Sequence, residues 1–263
     1  MHAPSAPLKE YRQQPTSFLT VRLEKSEWSF LQQDVVLVVA FLEGARRRSP
    51  EKESGNISAE RSVLTMPGAI IGIYGKQRSG KTLIAYKLVK GLQERCREHG
   101  IELPVYTNLY TPRDKGFTYV NSLEALPLDL KPKIVLIDEI YNGCDAQDYR
   151  KLKDISIFIN TLGKQNCLFV FTSIDAQMVY NRIRNQMNVV ILVKSAQQHI
   201  HYKFVYLNTG KTVDFIAEKN AALFEGVWYD TNFIPLDFDW EMKSWRKKLE
   251  QFYRVNYNME LTL

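Results

Sequence analysis

The chain has 263 residues, of which 45% are hydrophobic and 24% charged, so it can bury one sizeable core and is not expected to be mostly disordered. Its formal net charge of +6 permits a polyanionic partner without requiring one. Three widely separated cysteines form no disulfide or metal-ligand pattern, which favours reduced thiols. We find no signal-peptide pattern, and the longest apolar run, 35–42, is far shorter than the roughly 20 residues that cross a membrane. The sequence therefore predicts no stable membrane insertion.

Three segments follow one another along the chain. Residues 1–62 are predicted to form a polar leader, a helix from Ser26 to Gly44 and a charged linker over 50–62. Residues 63–235 form the predicted main domain. Residues 236–263 are predicted to be a helical basic tail, with an amphipathic helix over Trp240–Tyr253.

Apolar runs of strand length alternate with helical periodicity in the main domain. This alternation predicts an α/β fold with an open, mostly parallel sheet flanked by helices. The predicted strands are Ala69–Tyr74, Pro104–Asn108, Thr118–Val120, Ile134–Ile137, Cys167–Thr172, Val189–Lys194 and Lys203–Leu207. The predicted helices are Thr82–Arg97, Tyr149–Leu162 and Gln177–Asn185.

The segment from Gly75 to Thr82 fits the phosphate-binding loop pattern G-x-x-x-x-G-K-[ST] (Walker A) without a mismatch, between an apolar strand and a helix. Its glycines allow a tight turn whose N–H groups face phosphates, and the helix adds the positive end of its dipole. Lys81 is expected to reach the β- and γ-phosphates and Thr82 to ligate Mg²⁺. The predicted phosphate-binding residues are Gly75, Lys76, Gln77, Arg78, Ser79, Gly80, Lys81 and Thr82.

A second motif (Walker B) follows the apolar strand Ile134–Ile137, which ends directly in Asp138 and Glu139. The carboxyl end of a parallel strand is where open α/β sheets bind ligands. Asp138 is predicted to hold Mg²⁺, and Glu139 to orient and deprotonate the attacking water. The sequence therefore predicts ATP hydrolysis with ATP and Mg²⁺ as ligands. ATP is preferred over GTP because no N-K-x-D string occurs.

The predicted strand Cys167–Thr172 is followed by polar residues that could sense the γ-phosphate. The candidates are Thr172, Ser173, Asp175 and Gln177. Further along, Arg182 and Arg184 could reach a neighbouring subunit's nucleotide and stabilise transition-state charge. A solvated helix face or a salt bridge is the alternative for both arginines.

The motifs GKQRSGKT, IVLIDE and FTS…VYNRIR, in this order, resemble FtsK/HerA-type ATPases, and most closely viral genome-packaging ATPases and Zot-like phage proteins. The resemblance covers roughly 70–231 and includes VYTNLY (105–110) and VWYDT (227–231). It implies a P-loop NTPase fold of the additional-strand, RecA-like type. This chain departs from the family at Ile174, where a glutamine is usual, so Gln177 or Ser173 would take the sensor role.

The resemblance implies an ATP-driven translocase that packages double-stranded DNA into a capsid. It also implies a homo-oligomeric ring, commonly a hexamer, sequence-independent DNA contacts, a capsid or portal partner, and location in the cytoplasm of an infected cell or in the virion. Basic residues offered for DNA are Arg46–Arg48, Lys194, Lys203 and Arg246–Lys248. The alternatives are a Zot-like extrusion ATPase and an ATP-dependent switch or assembly factor that does not move DNA.

Overall fold

The computed structural model describes residues 68–112, 116–141, 149–231, 233 and 236–260, together with Thr20 and Val21. The predicted leader, the helix from Ser26 and the linker lie outside these residues, apart from that two-residue strand. So do Arg46–Arg48 and Cys144.

The described residues contain one mixed, mostly parallel sheet. Its strands are β1 Thr20–Val21, β2 Ala69–Tyr74, β3 Val105–Thr107, β4 Phe117–Tyr119, β5 Lys133–Ile137, β6 Cys167–Ser173, β7 Val189–Ser195, β8 His199–Tyr206 and β9 Thr212–Glu218. Their order across the sheet is β1-β9-β8-β7-β2-β6-β5-β3-β4. Strand β8 runs antiparallel to both neighbours, and all other pairs are parallel. Because β6 lies between β2 and β5, the sheet has the predicted additional-strand arrangement.

Helices cover both faces of the sheet. They are α1 Lys81–Glu98, α2 Tyr149–Thr161, α3 Asn181–Asn185, α4 Ala221–Phe224 and α5 Trp245–Tyr257. One apolar cluster packs α1, through residues such as Leu83, Ile84 and Val89, against one face. A second cluster packs Phe158 of α2 and Ile183 of α3 against the other face. Strands β2, β5 and β6 are buried along their whole length, which explains their continuous apolar runs.

Some predicted elements differ from the observed ones, and one observed strand was not predicted. The predicted helix Gln177–Asn185 is a 3₁₀ turn at Ala176–Met178 followed by the short helix α3, because Val179 and Tyr180 have extended ψ values of 137° and 134°. The predicted strand Lys203–Leu207 is the end of the longer β8. Strand β9 was not predicted, because its apolar pattern is too short to indicate a strand. Its pairing with β8 stabilises the strand in the structure.

The predicted helix Trp240–Tyr253 begins later, at Trp245. Trp240 lies outside any helix and is fully buried, packing against Phe238 and Phe169 with ring centroids 4.8 and 6.4 Å away. Trp240 is therefore a residue of the core and not of the apolar face of a helix. Residues 238–240 pack on the same core as α2.

An ion pair between a buried lysine and a partly exposed aspartate lies at the start of β5. The Lys133 side chain is 2% exposed, and its Nζ lies 2.7 Å from Asp129 Oδ1. The same Nζ donates to the carbonyl oxygens of Asp129 at 2.8 Å and Gln165 at 3.1 Å. Lys133 thus joins the loop before β5 to the turn before β6.

We expect Lys133→Met to lower the free energy of unfolding by about 1–3 kcal/mol, since it leaves the carbonyl oxygens of Asp129 and Gln165 without their donor, while the partly exposed Asp129 carboxylate stays solvated. The matched control is Lys131→Met, an exposed lysine two residues earlier, for which we expect a change within about 0.5 kcal/mol. Urea unfolding of the two variants measures the difference. A Lys133→Met protein as stable as the control would contradict this role.

Candidate phosphate and metal site

The predicted phosphate loop lies at the carboxyl edge of the sheet, between β2 and α1. A Cβ added at Gly75 would lie 2.5 Å from the Val193 carbonyl oxygen and 2.7 Å from Ser79 Oγ, so only glycine fits there. Gly80 has φ 97°, a left-handed conformation that glycine adopts without strain. The Gly75 N–H donates to the Ser173 carbonyl of β6 at 3.3 Å, which ties the start of the loop to the sheet.

The interior of this loop suits an oxyanion. Helix α1 begins at Lys81 with no side-chain cap, which leaves its first N–H groups available. Among the described residues, the buried hydroxyl of Ser79 has no hydrogen-bond partner. Lys81 is buried, and its Nζ donates to the Lys76 carbonyl at 3.1 Å. These residues therefore fit a bound phosphate, while Lys76, Gln77 and Arg78 are exposed at the loop's tip.

The two predicted metal ligands are in contact. Thr82 Oγ1 lies 3.0 Å from Asp138 Oδ1 and 3.1 Å from Oδ2. Thr172 Oγ1 donates to Asp138 Oδ1 at 2.7 Å. A hydroxyl and a carboxylate beside a phosphate loop fit Mg²⁺, which binds through few protein ligands and completes its shell with phosphate and water. In the described part of the chain, no group of three or more His, Cys, Asp or Glu side chains is arranged to hold a metal ion.

Asn108 holds the Asp138 backbone from the neighbouring strand. Its Nδ2 donates to the Asp138 carbonyl at 2.9 Å, and its Oδ1 accepts from the Asp138 N–H at 2.7 Å. Asn108 is buried and directly follows β3, which pairs with β5. In the sequence this asparagine is part of the VYTNLY segment, which by itself indicates no role for it. Its contact with Asp138 follows only from the pairing of β3 with β5.

Glu139 has an unusual backbone conformation for a residue with a side chain, with φ 52°. Its N–H donates to Thr172 Oγ1 at 2.9 Å, and the next N–H, of Ile140, donates to the Thr172 carbonyl at 3.0 Å. Thr172 therefore contacts the side chain of Asp138 and the backbone of Glu139 together. It is thus a sensor candidate that hydrogen-bonds to both acidic residues.

The other sensor candidates have different contacts. Ser173 Oγ is buried and donates to the Asp175 carbonyl at 2.9 Å. Gln177 is exposed, and its backbone N–H donates to Asp175 Oδ1 at 2.9 Å. Ile174, at the departure from the family pattern, is also exposed.

The Asp138 carboxylate and the Lys81 ammonium group are opposite charges in a partly desolvated site. Burial raises the pKa of Asp138, with the Thr172 and Thr82 hydroxyls opposing that rise. Burial lowers the pKa of Lys81, while the Asp138 and Glu139 carboxylates oppose that change. For Asp138 and for Lys81, burial disfavours the charged form, and the neighbouring groups named here favour it. This combination is expected at a site that binds a charged ligand.

The segment 227–231 lies near the site and contacts helix α1 and residue Tyr110. The Tyr229 ring lies 5.4 Å from that of Tyr86 in α1. Burial and the Asp138 charge raise the pKa of Tyr229 to about 12. The Asp230 N–H donates to the Tyr110 carbonyl at 3.1 Å. This tyrosine is a further residue near the site for which the sequence offered only the VWYDT pattern.

The two candidate arginines lie on α3 and differ in exposure. Arg182 is exposed, whereas Arg184 is half-buried and its guanidinium hydrogen-bonds to the Asn181 side chain. The Arg184 charge also acts on Tyr74, the last residue of β2.

The proposed DNA-binding cations are dispersed over the described surface. Lys248 is half-buried and donates to the carbonyls of Glu124 and of Leu126, the latter at 3.0 Å, so it holds α5 in place. Arg246 and Lys247 are exposed. Lys194 and Lys203 lie on one face of the β7–β8 pair, where Lys194 is opposite His201 and Lys203 is opposite Leu192. No helix in the described part of the chain is long and apolar enough to span a membrane.

Comparisons with known proteins give distant structural likenesses only. No protein-family model matches the chain, and no curated protein matches it. Three of the similar solved structures are matched over nearly their complete lengths. The N-terminal domain of zonular occludens toxin from Neisseria meningitidis is 16% identical with a TM-score of 0.47, covering 63% of this chain and 100% of that one.

The second is the flagellar accessory protein FlaH from Methanocaldococcus jannaschii, at 13% identity and a TM-score of 0.42, covering 59% of this chain and 92% of that one. The third is B204, the DNA-packaging ATPase of Sulfolobus turreted icosahedral virus, at 11% identity and a TM-score of 0.40, covering 56% and 97%. Because identities and TM-scores are this low, the fold class rests on the strand order and loop of this chain, which are those of a P-loop NTPase.

Proposed function

We propose that this chain is a Mg²⁺-dependent ATPase. The observation that supports this most is the contact of Thr82, at the end of the phosphate loop, with Asp138 at the end of β5, at 3.0 and 3.1 Å. Two motifs that lie 56 residues apart in the sequence thereby form one site. Chance similarity to the loop pattern alone would not bring a carboxylate to its hydroxyl.

Each residue has a distinct part in the proposed reaction. The loop N–H groups and Lys81 bind and orient the phosphates. Thr82 and Asp138 would hold Mg²⁺, which supplies neutralisation of charge developing on the phosphate oxygens. Glu139 orients the attacking water and accepts its proton. Thr172 holds the Asp138 side chain and the Glu139 backbone in place, and Asn108 holds the backbone of Asp138.

We propose further that hydrolysis drives the movement of double-stranded DNA, with packaging into a capsid as the biological setting. This rests on the FtsK/HerA-like order of the motifs on β2, β5 and β6 and on the net charge of +6. DNA would be held through its phosphates without sequence preference, by exposed cations such as Lys194 and Arg246. The chain would act in the cytoplasm of an infected cell or in the virion.

Steady-state hydrolysis with and without double-stranded DNA tests the translocase proposal. We expect stimulation at low salt, lost as salt rises, because counterion release drives non-specific DNA binding. Hydrolysis indifferent to DNA at every salt concentration would contradict translocation and favour a switch or assembly factor. The extrusion ATPase remains the other alternative.

We propose that the working form is a homo-oligomeric ring, in which exposed Arg182 is better placed than Arg184 to reach a neighbouring subunit's nucleotide. Mass measurements in the presence of DNA and a slowly hydrolysed ATP analogue test this. A monomer under all of these conditions would contradict the ring.

A further inference from the structure

Helix α5 presents a positively charged face to solvent. Its sequence, WRKKLEQFYRVNY, holds four basic residues and one acidic residue. Arg246, Lys247 and Arg254 are exposed, whereas Phe252 is buried in the core. Because an α-helix has about 3.6 residues per turn, Lys247 and Arg254 lie about two turns apart on the side away from Phe252, with Arg246 at the border of that side. We call this surface the basic face of α5.

The acidic residue of the helix does not neutralise the basic face. Glu250 Oε1 lies 3.9 Å from Arg246 Nε, and both side chains are largely in solvent. An exposed ion pair at this distance contributes little, and salt screens it further. One carboxylate beside three exposed cations therefore leaves the face with a net positive charge.

The other side of α5 is fixed to the core, which gives these cations a defined spacing. Lys248 Nζ donates to the Leu126 carbonyl at 3.0 Å, and the Phe252 side chain is packed in the core. The helical rise of 1.5 Å per residue separates Lys247 from Arg254 by about 10 Å. One strand of DNA presents about three phosphates over that length. The basic face is thus a rigid surface whose charge and spacing are complementary to a DNA backbone.

The basic residues on β7 and β8 are less suited to a polyanion. Lys194 is exposed, but Lys203 is half-buried. Lys203 is opposite Leu192 of β7 and Asp214 of β9, and Leu192 is 39% exposed. An acidic and an apolar neighbour both weaken the attraction of this surface for phosphates. The basic face of α5 has the higher density of exposed positive charge.

We propose that the basic face of α5 is the main surface by which this chain holds the phosphates of double-stranded DNA. The inference rests on the proposed translocase function and names the surface that this function uses. Helix α5 lies after the segment 70–231 that resembles the ATPase families, so this surface belongs to this chain and not to the shared motifs. Each phosphate contact adds about 0.9 to the magnitude of the slope of log Kobs, the DNA-binding constant, against log salt concentration.

The double variant Lys247→Gln/Arg254→Gln removes two cations from the basic face. Its matched control, Lys164→Gln/Lys211→Gln, removes two exposed cations from other parts of the described surface and changes the net charge equally. Titrations of a fluorescent DNA duplex with the full chain and ATPγS, at about 50 to 200 mM salt, give the Kd and the salt slope. We expect the α5 variant to bind about tenfold more weakly at the lowest salt, with a slope smaller by about 1–2.

The control variant should keep the wild-type slope within about 0.5, and thermal unfolding checks that both variants are folded. If the α5 variant and the control have the same Kd and slope while the wild type binds DNA, the role of the basic face is wrong and the translocase proposal stands. If binding weakens without a change in slope, the loss does not come from phosphate contacts, and the role is again wrong. A wild type that does not bind the duplex at about 50 mM salt would overturn the translocase proposal and this inference together.

Discussion

Glu139→Gln is expected to lower ATP turnover by about 10²- to 10⁴-fold while ATP binding stays within about twofold of wild type. The amide has nearly the shape of the carboxylate but cannot accept the proton of the attacking water. The backbone contacts of Glu139 to Thr172 do not involve its side chain, so they persist in the variant. The phosphate loop and the Thr82–Asp138 contact are likewise unchanged.

Single-turnover hydrolysis together with ATPγS titration measures the two quantities separately. Glu218→Gln, an exposed residue at the end of β9, is the matched control, for which turnover should not change. If Glu139→Gln turned over at the wild-type rate, Glu139 would not be the base. If it failed to bind ATPγS, the residue would act in binding rather than in chemistry.

Asp138→Asn is expected to abolish Mg²⁺-dependent turnover and yet stabilise the nucleotide-free protein. Burial raises the pKa of Asp138 above its ordinary value, so the charged form is disfavoured in the folded state. When the pKa of a group is higher in the folded than in the unfolded state, its contribution to the free energy of unfolding is fully present below the unfolded pKa. That contribution is lost as the pH rises through the folded pKa. At neutral pH the wild type therefore carries a penalty that the amide lacks.

We expect the variant to unfold with a free energy about 0.5–2 kcal/mol higher than wild type at neutral pH, the usual gain when a strained functional group is relieved. This advantage should shrink as the pH falls through the raised pKa towards the ordinary range of aspartate. Asp237→Asn, which removes an exposed charge, controls for net charge. A variant less stable than wild type at neutral pH, or one that keeps Mg²⁺-dependent turnover, would contradict this account of Asp138.

The sequence predicted the centre of the sheet well because burial there leaves a strong signal. Strands β2, β5 and β6 are buried on both faces, so their apolar runs have no polar interruption and their bounds agree with the structure to within a residue. The phosphate loop was visible for a different reason. Its glycines meet steric demands that no other residue meets, as the 2.5 Å approach at Gly75 shows.

Other parts of the site depend on contacts between strands that are distant in sequence. Asn108 binds Asp138 only because β3 pairs with β5, and no local pattern encodes that pairing. Thr172 was one of several polar candidates, and its contact with Asp138 exists only because β6 lies next to β5 in the sheet. Trp240 was predicted to begin the C-terminal helix, but it packs in the same core cluster as Phe158 and Phe169 instead.

The central claim is that this loop and these carboxylates hydrolyse ATP, and single-turnover release of γ-phosphate tests it most directly. Protein in excess over labelled ATP detects even slow hydrolysis, with Mg²⁺ or with a chelator, in the wild type and in Lys81→Ala. Lys81 is buried within the loop, with its Nζ 3.1 Å from the Lys76 carbonyl, so its loss removes the buried cation of the loop. We predict Mg²⁺-dependent release by the wild type and none above background by Lys81→Ala. Equal rates for the two proteins, or a wild-type rate unaffected by the chelator, would contradict the assignment.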